Sequence, residues 1–265
     1  MILTISSHSL SNYSQCPQKY YLENLCHLKP LNKGNGINRG TVLHQWLKVY
    51  YENKIRPKKS KQKLLFNAPF WINKLTQKMS CNRDLALSIF GAFIGYAENW
   101  KNETWIPLGT EKGFSKILYE NEDDLFILEG RVDLVCMVGS NLLIVDHKGA
   151  GSKESLCAFN NQVLAYLWAA NAQEFVYNYI VFTKIPQYIR AVHKFTLKQI
   201  QDWKDEIIDT CFRIKSDRER NQFTKSYQCQ GRGICWYLPI CEQTNENVRD
   251  DIVRSNFEKE IYRSW

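Results

Sequence analysis

The chain has 265 residues, of which 44% are hydrophobic, and its formal net charge is +8. This length and hydrophobic fraction suffice for one large domain, or for a core domain with a small addition, and they exclude disorder throughout the chain. The positive charge favours a polyanionic partner without requiring one. No apolar run approaches the roughly 18 residues of a membrane span, and no basic stretch followed by an apolar one opens the sequence. We therefore expect no membrane partner and a soluble, cytoplasmic (intracellular) protein.

The N-terminal part of the sequence predicts mainly helices. Residues 1–25 predict a short strand, a serine-rich cap and then a helix. The segments 41–53 and 82–101 carry apolar residues at helical spacing. Two loops are predicted between them, a Gly- and Asn-rich one over 32–40 and the basic stretch RPKKSKQK over 56–63.

From Thr110 onward the hydrophobic period changes to that of strands. Three strands are predicted as an antiparallel meander, EKGFSKILYE (111–120), LFILEGRVDLVCMVG (125–139) and NLLIVDHKG (141–149). A helix over 160–175, a strand over 176–185 and a long amphipathic helix over 194–219 follow. This order predicts a mixed α/β core inside helical flanks.

Charged residues close the third predicted strand. Asp146 and Lys148 are two residues apart and therefore share one face of an extended chain. Buried charges persist when they are paired or hold a metal. Antiparallel pairing would bring Asp133 close to Asp146, and Mg²⁺ or Mn²⁺ would relieve their repulsion. Lys148 would then steady a water or a phosphate charge. A cross-strand ion-pair network with Arg131 accounts for the same spacing, so spacing alone leaves both interpretations open.

The nine cysteines fall into two groups. Those at 26, 81, 136, 157 and 211 stand singly and predict reduced packing residues. Cys229, Cys235 and Cys241 form a C-x5-C-x5-C array. An odd triplet in a cytoplasmic-type chain predicts a metal site that lacks its fourth ligand.

Four motifs occur in order along the chain: Gly40-x3-His44, Gly130-Arg131-Val132-Asp133, Asp146-His147-Lys148 and Gln162-x3-Tyr166. In this order they resemble the PD-(D/E)XK nuclease core, and the chain is similar to the RecB-like branch of that family. This branch includes the AddB nuclease domain, the CRISPR-associated RecB-like exonucleases and many phage exonucleases. Taken alone, His44 would be interpreted as a core residue. Glu111 matches an acidic position of several relatives, but alone it would be a surface glutamate.

The resemblance implies an α/β fold with a restriction-endonuclease-like PD-(D/E)XK core, a mixed central sheet flanked by helices. We expect a single nuclease domain over residues 1–265. Its parts would be a helical N-terminal part at about 1–105, which contains Cys16 and His44, the core at about 106–220, and a C-terminal cluster-binding segment at about 221–265.

The resemblance also assigns roles to residues. The catalytic residues would be Asp133, Asp146 and Lys148. The ligands of Mg²⁺ or Mn²⁺ would be His44, Asp133, Asp146 and the backbone carbonyl of His147. Residues that contact DNA or brace the site would be Gln162, Tyr166, Arg131 and Glu111. Position 146 is Asp where this branch commonly has Glu, which leaves the metal preference open.

A fourth cysteine is likewise implied by the resemblance, since several members of the branch bind an iron–sulfur cluster through one N-terminal and three C-terminal cysteines. Cys16 lies in the C-P-x-x-Y context typical of the N-terminal position. Together with Cys229, Cys235 and Cys241 it would bind a structural 4Fe–4S cluster. Structural Zn²⁺ is the alternative, although zinc sites usually contain C-x2-C pairs.

The expected function is that of a metal-dependent DNA exonuclease in which a metal-activated water hydrolyses phosphodiester bonds at single-stranded or duplex ends. One alternative is a DNA-processing subunit of a recombination or CRISPR-adaptation complex with little activity alone, and another is an endonuclease on branched or single-stranded DNA. A nuclease-dead scaffold is disfavoured because Asp133, Asp146 and Lys148 are all present. The sequence contains no G-x4-G-K-[ST] motif, so unwinding would need a helicase partner.

Basic and aromatic side chains are candidates for further DNA contacts. Phosphate contacts would come from Arg131, Lys148, Lys153, Arg232 and the stretch 56–63. Exposed aromatic residues would stack on single-stranded bases, and the candidates are Trp46, Tyr50, Tyr51, Trp168 and Trp236. Most of these aromatic residues are expected in the core.

Overall fold

The computed structural model describes residues 1–31, 39–79, 81–150, 157–226, 229–231 and 233–259. The chain divides into two compact units. Unit 1 comprises Met1–Asn35, Ile117–Leu128 and Lys204–Trp265, and unit 2 comprises Gly36–Lys116 and Glu129–Trp203. Unit 1 therefore combines segments from both ends of the sequence, and unit 2 is built from its middle.

The strands in chain order are β1 (Ile2–Ser6), β2 (Leu28–Pro30), β3 (Ile106–Glu120), β4 (Leu125–Val138), β5 (Asn141–Ala150), β6 (Glu174–Val181), β7 (Gln187–Lys194), β8 (Gln230–Gly231), β9 (Gly233–Ile234) and β10 (Phe257–Lys259). The α-helices are α1 (Ser7–Gln15), α2 (Pro17–Tyr20), α3 (Arg39–Ile55), α4 (Lys59–Leu65), α5 (Ala68–Met79), α6 (Arg83–Asn99), α7 (Asn161–Ala170), α8 (Leu197–Glu219), α9 (Leu238–Glu242) and α10 (Glu246–Asn256). A π-helix spans Tyr21–Leu25.

The central sheet is mixed. β4 pairs antiparallel with β5, β5 pairs parallel with β6, β6 pairs antiparallel with β7, and β3 pairs with β4. Residues 143–147 of β5 are all buried, because β5 lies between two neighbouring strands and helices contact it. The predicted α/β class with a mixed central sheet flanked by helices is confirmed.

Helix α3 lies close to β5. Its residues Leu43, Trp46 and Leu47 are fully buried in the core of unit 2, together with Val145 of β5. A Cβ atom added to Gly149 would lie 3.0 Å from Leu43 Cδ2 and 3.1 Å from the Phe182 ring. The glycine that ends the D-H-K-G run therefore leaves room for α3 to approach the strand.

Unit 1 joins segments that are distant in the sequence. The N–H of Leu125, at the start of β4, donates to the carbonyl of Met1 at 2.9 Å. β2 pairs antiparallel with β10, with Pro30 opposite Phe257. A small core contains Leu22, Leu28, Tyr237, Ile240 and Phe257. In the described ranges no helix has the length and apolar character needed to cross a membrane.

Some local predictions are wrong. Most of the basic loop predicted over 56–63 belongs to α4, which spans Lys59–Leu65, because Lys, Gln and Leu favour helices and Leu65 is buried. The helix predicted over 160–175 ends at Ala170, since Asn171 takes a left-handed φ of 52° at its C-terminus. Cys157 is exposed and is not a packing residue.

Sequence analysis also missed several elements, among them α5 and β7 of unit 2 and α9 and α10 of unit 1. α5 and β7 were not predicted, because the short apolar run of α5 directly follows α4 and β7 is an edge strand without clear alternation. Lys153 and Arg232 lie outside the described residues. Trp46 and Tyr51 are fully buried and Tyr50 is nearly so, which excludes these three from stacking on DNA bases.

Candidate active site

The two predicted carboxylates lie side by side in unit 2. Leu134 of β4 is opposite Val145 of β5, and Asp133 and Asp146 come next beyond that pair. The backbone N–H of His147 donates to Asp133 Oδ2 at 2.8 Å. The register of the antiparallel pair therefore produces the proximity that the spacing suggested.

Asp146 is 1% exposed and is held by two side chains. Lys148 Nζ lies 2.6 Å from its Oδ2, as expected for two residues on one face of a strand. Gln162 Nε2 donates to its Oδ1 at 3.0 Å. A buried carboxylate with a lysine on one oxygen and an amide donor on the other has a fixed orientation.

Two further residues point to the same place from α3 and β3. His44 Nδ1 lies 3.3 Å from Asp133 Oδ2. Glu111 has a left-handed φ of 49° within β3, a conformation that costs a non-glycine residue energy and is found preferentially at functional sites. Ligand atoms of His44, Glu111 and Asp133 all lie within 4.8 Å of one another. We call these three residues together with Asp146 the acidic centre.

The acidic centre fits a divalent cation. Carboxylate oxygens suit Mg²⁺ and Mn²⁺, and one imidazole nitrogen is compatible with Mn²⁺. Glu111 and Asp133 lie within this group, and the charge of Asp133 acts on the neighbouring Asp146, so the carboxylates repel one another when ionised, and a cation that shares their oxygens would relieve the repulsion. His44, Glu111, Asp133 and Asp146 are the side chains that could hold it.

The pKa values of these groups reflect the crowding. Burial, and then the charge of Asp133, raises the pKa of Asp146 to about 6. Burial opposes ionisation of Asp133 too, but the hydrogen bond from His44 and the nearby imidazoles keep its pKa below the usual value. Burial lowers the pKa of His44, yet Asp133 and the other carboxylates raise it more, so the net direction is upward. Of the two aspartates, Asp146 therefore retains a proton to higher pH.

The side chain of His147 has a different environment. Burial lowers its pKa to about 3, so the imidazole is neutral. Its Nδ1 is 2.9 Å from Asn178 Nδ2, and its ring stacks on that of Tyr51 with centroids 5.8 Å apart. The imidazole therefore anchors β5 in the core, and only the backbone of His147 remains a candidate for the acidic centre.

Helix α7 positions Gln162 and Tyr166. Asn160 caps it by accepting from the N–H groups of Gln162 and Val163 at 3.0 and 3.1 Å. Gln162 Nε2 also donates to Tyr166 Oη at 3.1 Å. Tyr166 is buried, so it does not lie on a solvent-facing surface of the helix. It braces the glutamine that holds Asp146.

Steric crowding explains why the G-R-V-D motif begins with a glycine. A Cβ atom on Gly130 would come within 2.6 Å of the Phe114 ring. Phe114 in turn packs edge-on against Tyr166, with ring centroids 6.1 Å apart. Gly130 therefore lets an aromatic ring on β3 support Tyr166.

A polar pocket of about 540 Å³ opens beside the acidic centre. Its lining is Gly40, Thr41, His44, Gln45, Lys48, Glu111 and Arg131. Arg131 Nη1 is 3.7 Å from Glu111 Oε2, so the predicted arginine and glutamate meet here. Gln45 and Lys48 were missed by sequence analysis, although their positions one and four residues after His44 could have revealed them.

The four predicted cluster cysteines meet in unit 1. A second pocket, of about 600 Å³, is lined by Cys16, Cys229, Cys235 and Cys241 together with basic, acidic and apolar side chains. Burial, and then the nearby Cys235, Cys16 and Glu242, raise the pKa of Cys229. All four thiols are free. Within the described part of the chain, only His44, Glu111 and Asp133 bring three ligand atoms within 4.8 Å of one another.

Comparison with solved structures gives one of similar fold. A protein from Eubacterium rectale described as a "Putative exonuclease" has a TM-score of 0.52 at 11% sequence identity, with 86% of each chain covered. A structure described as SSO0001 has a TM-score of 0.36 at 12% identity, with 89% of this chain and 84% of that chain covered. No curated protein sequence matches the chain. At these identities the first likeness shows the fold alone.

The family comparison covers most of the sequence. The family model of the PD-(D/E)XK nuclease superfamily matches residues 4–242. This range includes the acidic centre, Lys148, Gln162 and all four clustered cysteines. The chain belongs to the PD-(D/E)XK nuclease superfamily.

Proposed function

We propose that this nuclease acts as a single-domain, metal-dependent DNA exonuclease of the RecB-like branch. The observation that carries the proposal is the convergence of His44, Glu111 and Asp133, with the Asp146–Lys148 pair on the strand next to Asp133. His44 and Glu111 also line a pocket open to solvent. Lys148 completes the sequence pattern of a hydrolytic site. Exonuclease activity is favoured by the RecB-like motif set, and the Eubacterium rectale protein of similar fold is described as a "Putative exonuclease".

The residues have distinct tasks in the proposed reaction. His44, Glu111, Asp133 and Asp146, with the backbone carbonyl of His147, would hold Mg²⁺ or Mn²⁺, which supplies an activated water and charge neutralisation when bound. Lys148 donates hydrogen bonds toward the attacking water and the charge that develops on the phosphate. Gln162 keeps Asp146 oriented, and Arg131 attracts the DNA backbone.

Asp146→Ala tests this assignment. The variant should lose Mg²⁺- or Mn²⁺-dependent degradation of end-labelled linear DNA. Gln162→Ala should lower the rate of DNA degradation by only about 10–100-fold, as expected for a residue that orients a metal ligand. Lys198→Ala, at an exposed lysine of α8, is the control and should match the parent. If Asp146→Ala degrades DNA as fast as the parent does, the proposed active site is wrong.

The choice of DNA separates the alternatives. Loss of linear DNA while circular single-stranded DNA stays intact supports an exonuclease. Cleavage of circles indicates an endonuclease. A folded protein that degrades neither with Mn²⁺ would support a subunit that needs a helicase, recombination or CRISPR-adaptation partner.

We further propose that Cys16, Cys229, Cys235 and Cys241 bind a 4Fe–4S cluster. The support is the meeting of four free thiols at one pocket and a sequence without the C-x2-C pairs that zinc sites usually contain. Tetrahedral zinc, with a Zn–S distance of about 2.3 Å, would bring the sulfurs within about 4 Å of one another. A four-iron cluster stands between its ligands and holds them farther apart.

The cluster has a spectroscopic test. Anaerobically purified protein should be brown and absorb near about 400 nm, with bound iron by metal analysis. Cys16→Ala should lose that absorbance and melt at a lower temperature, whereas Cys157→Ala, at an exposed cysteine, should change neither. A colourless parent that contains zinc would reassign the site to structural zinc.

A further inference from the structure

The pocket beside the acidic centre contains a cation with no assigned task. Lys48 lines it together with His44 and Gln45 of α3. Lys48 is exposed, and the ion pairs among the described residues include none with Lys48, whereas Arg131 is paired with Glu111 and Lys148 with Asp146. An exposed lysine is often merely solvated, but Lys48 lines the same pocket as His44 of the acidic centre.

The charges of the acidic centre can be counted together with those of Arg131, Lys148 and one bound divalent cation. With Glu111, Asp133 and Asp146 counted as ionised, the site has three negative charges. Arg131, Lys148 and one divalent cation bring four positive charges. The net charge is therefore +1, which the single negative charge of one phosphodiester neutralises. Lys48 adds a charge that the scissile phosphate does not require. The surplus suits a second phosphate of the same strand.

The geometry of helix α3 sets the separation between His44 and Lys48. His44 and Lys48 are four residues apart, so they lie on the same face of α3 and about 6 Å apart along its axis. That rise is comparable to the distance between adjacent phosphates of one strand. A strand with its scissile phosphate at the acidic centre can therefore place a neighbouring phosphate within reach of the flexible lysine side chain.

A lysine of α5 contacts Gln45, which lines the same pocket. Lys74 Nζ of α5 donates to Gln45 Oε1, which brings another positive charge next to the pocket. The engaged oxygen of Gln45 leaves its amide NH₂ as the group that can donate to a phosphate oxygen. Gln45 and Lys48 of α3 thus line the pocket together with Glu111 of the acidic centre.

We propose that Lys48 is a phosphate-binding residue for DNA, and that it contacts the phosphate adjacent to the scissile one. This inference rests on the proposed nuclease function and extends it by naming a second subsite on α3. The contact reads no base, so it should strengthen binding equally for all sequences.

The experiment measures the salt dependence of DNA binding. A fluorescent single-stranded oligonucleotide is titrated with the parent, Lys48→Ala and Lys48→Arg, with Ca²⁺ in place of Mg²⁺ to slow hydrolysis. The slope of log K against log salt should fall by about 0.7 to 1 in Lys48→Ala, because one phosphate contact is lost. Lys48→Arg should keep the parental slope. The affinity difference between parent and Lys48→Ala should be largest at low salt, which partial unfolding would not produce.

The matched control is Lys198→Ala, which removes the same charge from an exposed lysine outside the pocket. It should bind like the parent. An unchanged slope in Lys48→Ala, or an equal reduction in Lys198→Ala, overturns the inference. If the parent fails to degrade DNA with Mn²⁺, the proposed function fails, and the slopes measured with Ca²⁺ still decide whether Lys48 binds phosphate.

Discussion

Asp146 is the residue at which the chemistry of the site is concentrated. Its carboxylate is buried between Lys148 and Gln162 and lies next to Asp133. Burial and the Asp133 charge raise its pKa to about 6, so near neutral pH the site gains a negative charge that it is poorly able to solvate. A divalent cation would stabilise the ionised form.

The raised pKa of Asp146 predicts opposite effects of pH in the absence and presence of metal. Between about pH 4 and 6 the folded protein binds a proton that the unfolded chain has released, so without metal the Asp146 contribution to stability is lost as pH rises through this window. Below about pH 6 a cation must displace the proton of Asp146 in order to bind. Above about pH 6 no proton competes with the cation for this carboxylate. Mn²⁺ should therefore raise the melting temperature more at about pH 7.5 than at about pH 5.

Scanning fluorimetry with and without Mn²⁺ checks this prediction. Asp146→Asn provides the control, since it removes the titrating group and should largely remove the pH dependence of the Mn²⁺ effect. Equal Mn²⁺-induced shifts of the parent at both pH values would contradict the assignment.

At the residue scale, part of the site was predictable from the sequence. Spacing and strand period placed Asp146 and Lys148 on one face, and their contact is present. The resemblance supplied His44, Gln162 and Tyr166, which spacing alone could not. Glu111 was underestimated because a positive φ within a strand leaves no trace in composition.

Helix α7 shows how one element controls the site. Its N-terminal cap, Asn160, fixes where the helix begins and thereby where Gln162 points. The same side chain also donates to Tyr177 Oη at 2.9 Å. The cap thus ties the helix start to β6.

Loss of this cap should be measurable. Asn160→Ala removes the acceptor for two N–H groups and should lower the free energy of unfolding by about 1 kcal/mol, with reduced nuclease activity because Gln162 becomes less well oriented. Asn160→Ser keeps a capping oxygen and should lose less stability. Urea denaturation monitored by tryptophan fluorescence compares the three proteins, and equal midpoints would show that the cap is unimportant.

At the element scale, prediction succeeded where the hydrophobic period was strong. β4, β5 and α3 were found close to their observed bounds, since their apolar residues alternate or recur with the helical period. β7 was missed because an edge strand is half exposed and needs little alternation. The parallel pairing of β5 with β6 could not be predicted from local pattern, since register across a crossover depends on packing.

A buried polar network extends across unit 2 behind the active site. Asn178 contacts both His147 Nδ1 and Tyr96 Oη at 2.9 Å. Arg190 is paired with Glu103, and its guanidinium carbon lies 3.6 and 3.5 Å from the ring centroids of Trp100 and Trp105. The network connects the imidazole of the D-H-K strand to a charge pair held between two indole rings.

Breaking that pair should be costly. Glu103 is 2% exposed and also accepts from Lys54, so Glu103→Gln leaves two cations without their counter-charge. The free energy of unfolding should fall by about 3–5 kcal/mol. Glu98→Gln, in an exposed pair with Lys101, is the control and should change it by less than about 1 kcal/mol. Guanidinium unfolding measures both variants, and similar values for the two would show that the network carries no stability.

The composition of unit 1 has a consequence for biosynthesis. The segments of unit 2 run from Gly36 to Trp203, whereas unit 1 needs Met1–Asn35 together with residues after Lys204. During vectorial synthesis the N-terminal segment, with Cys16, therefore leaves the ribosome long before its partners. The pocket that joins Cys16 to Cys241 can form only after residue 241 has left the ribosome, so the thiol of Cys16 stays open to oxidation and to premature metal capture until then.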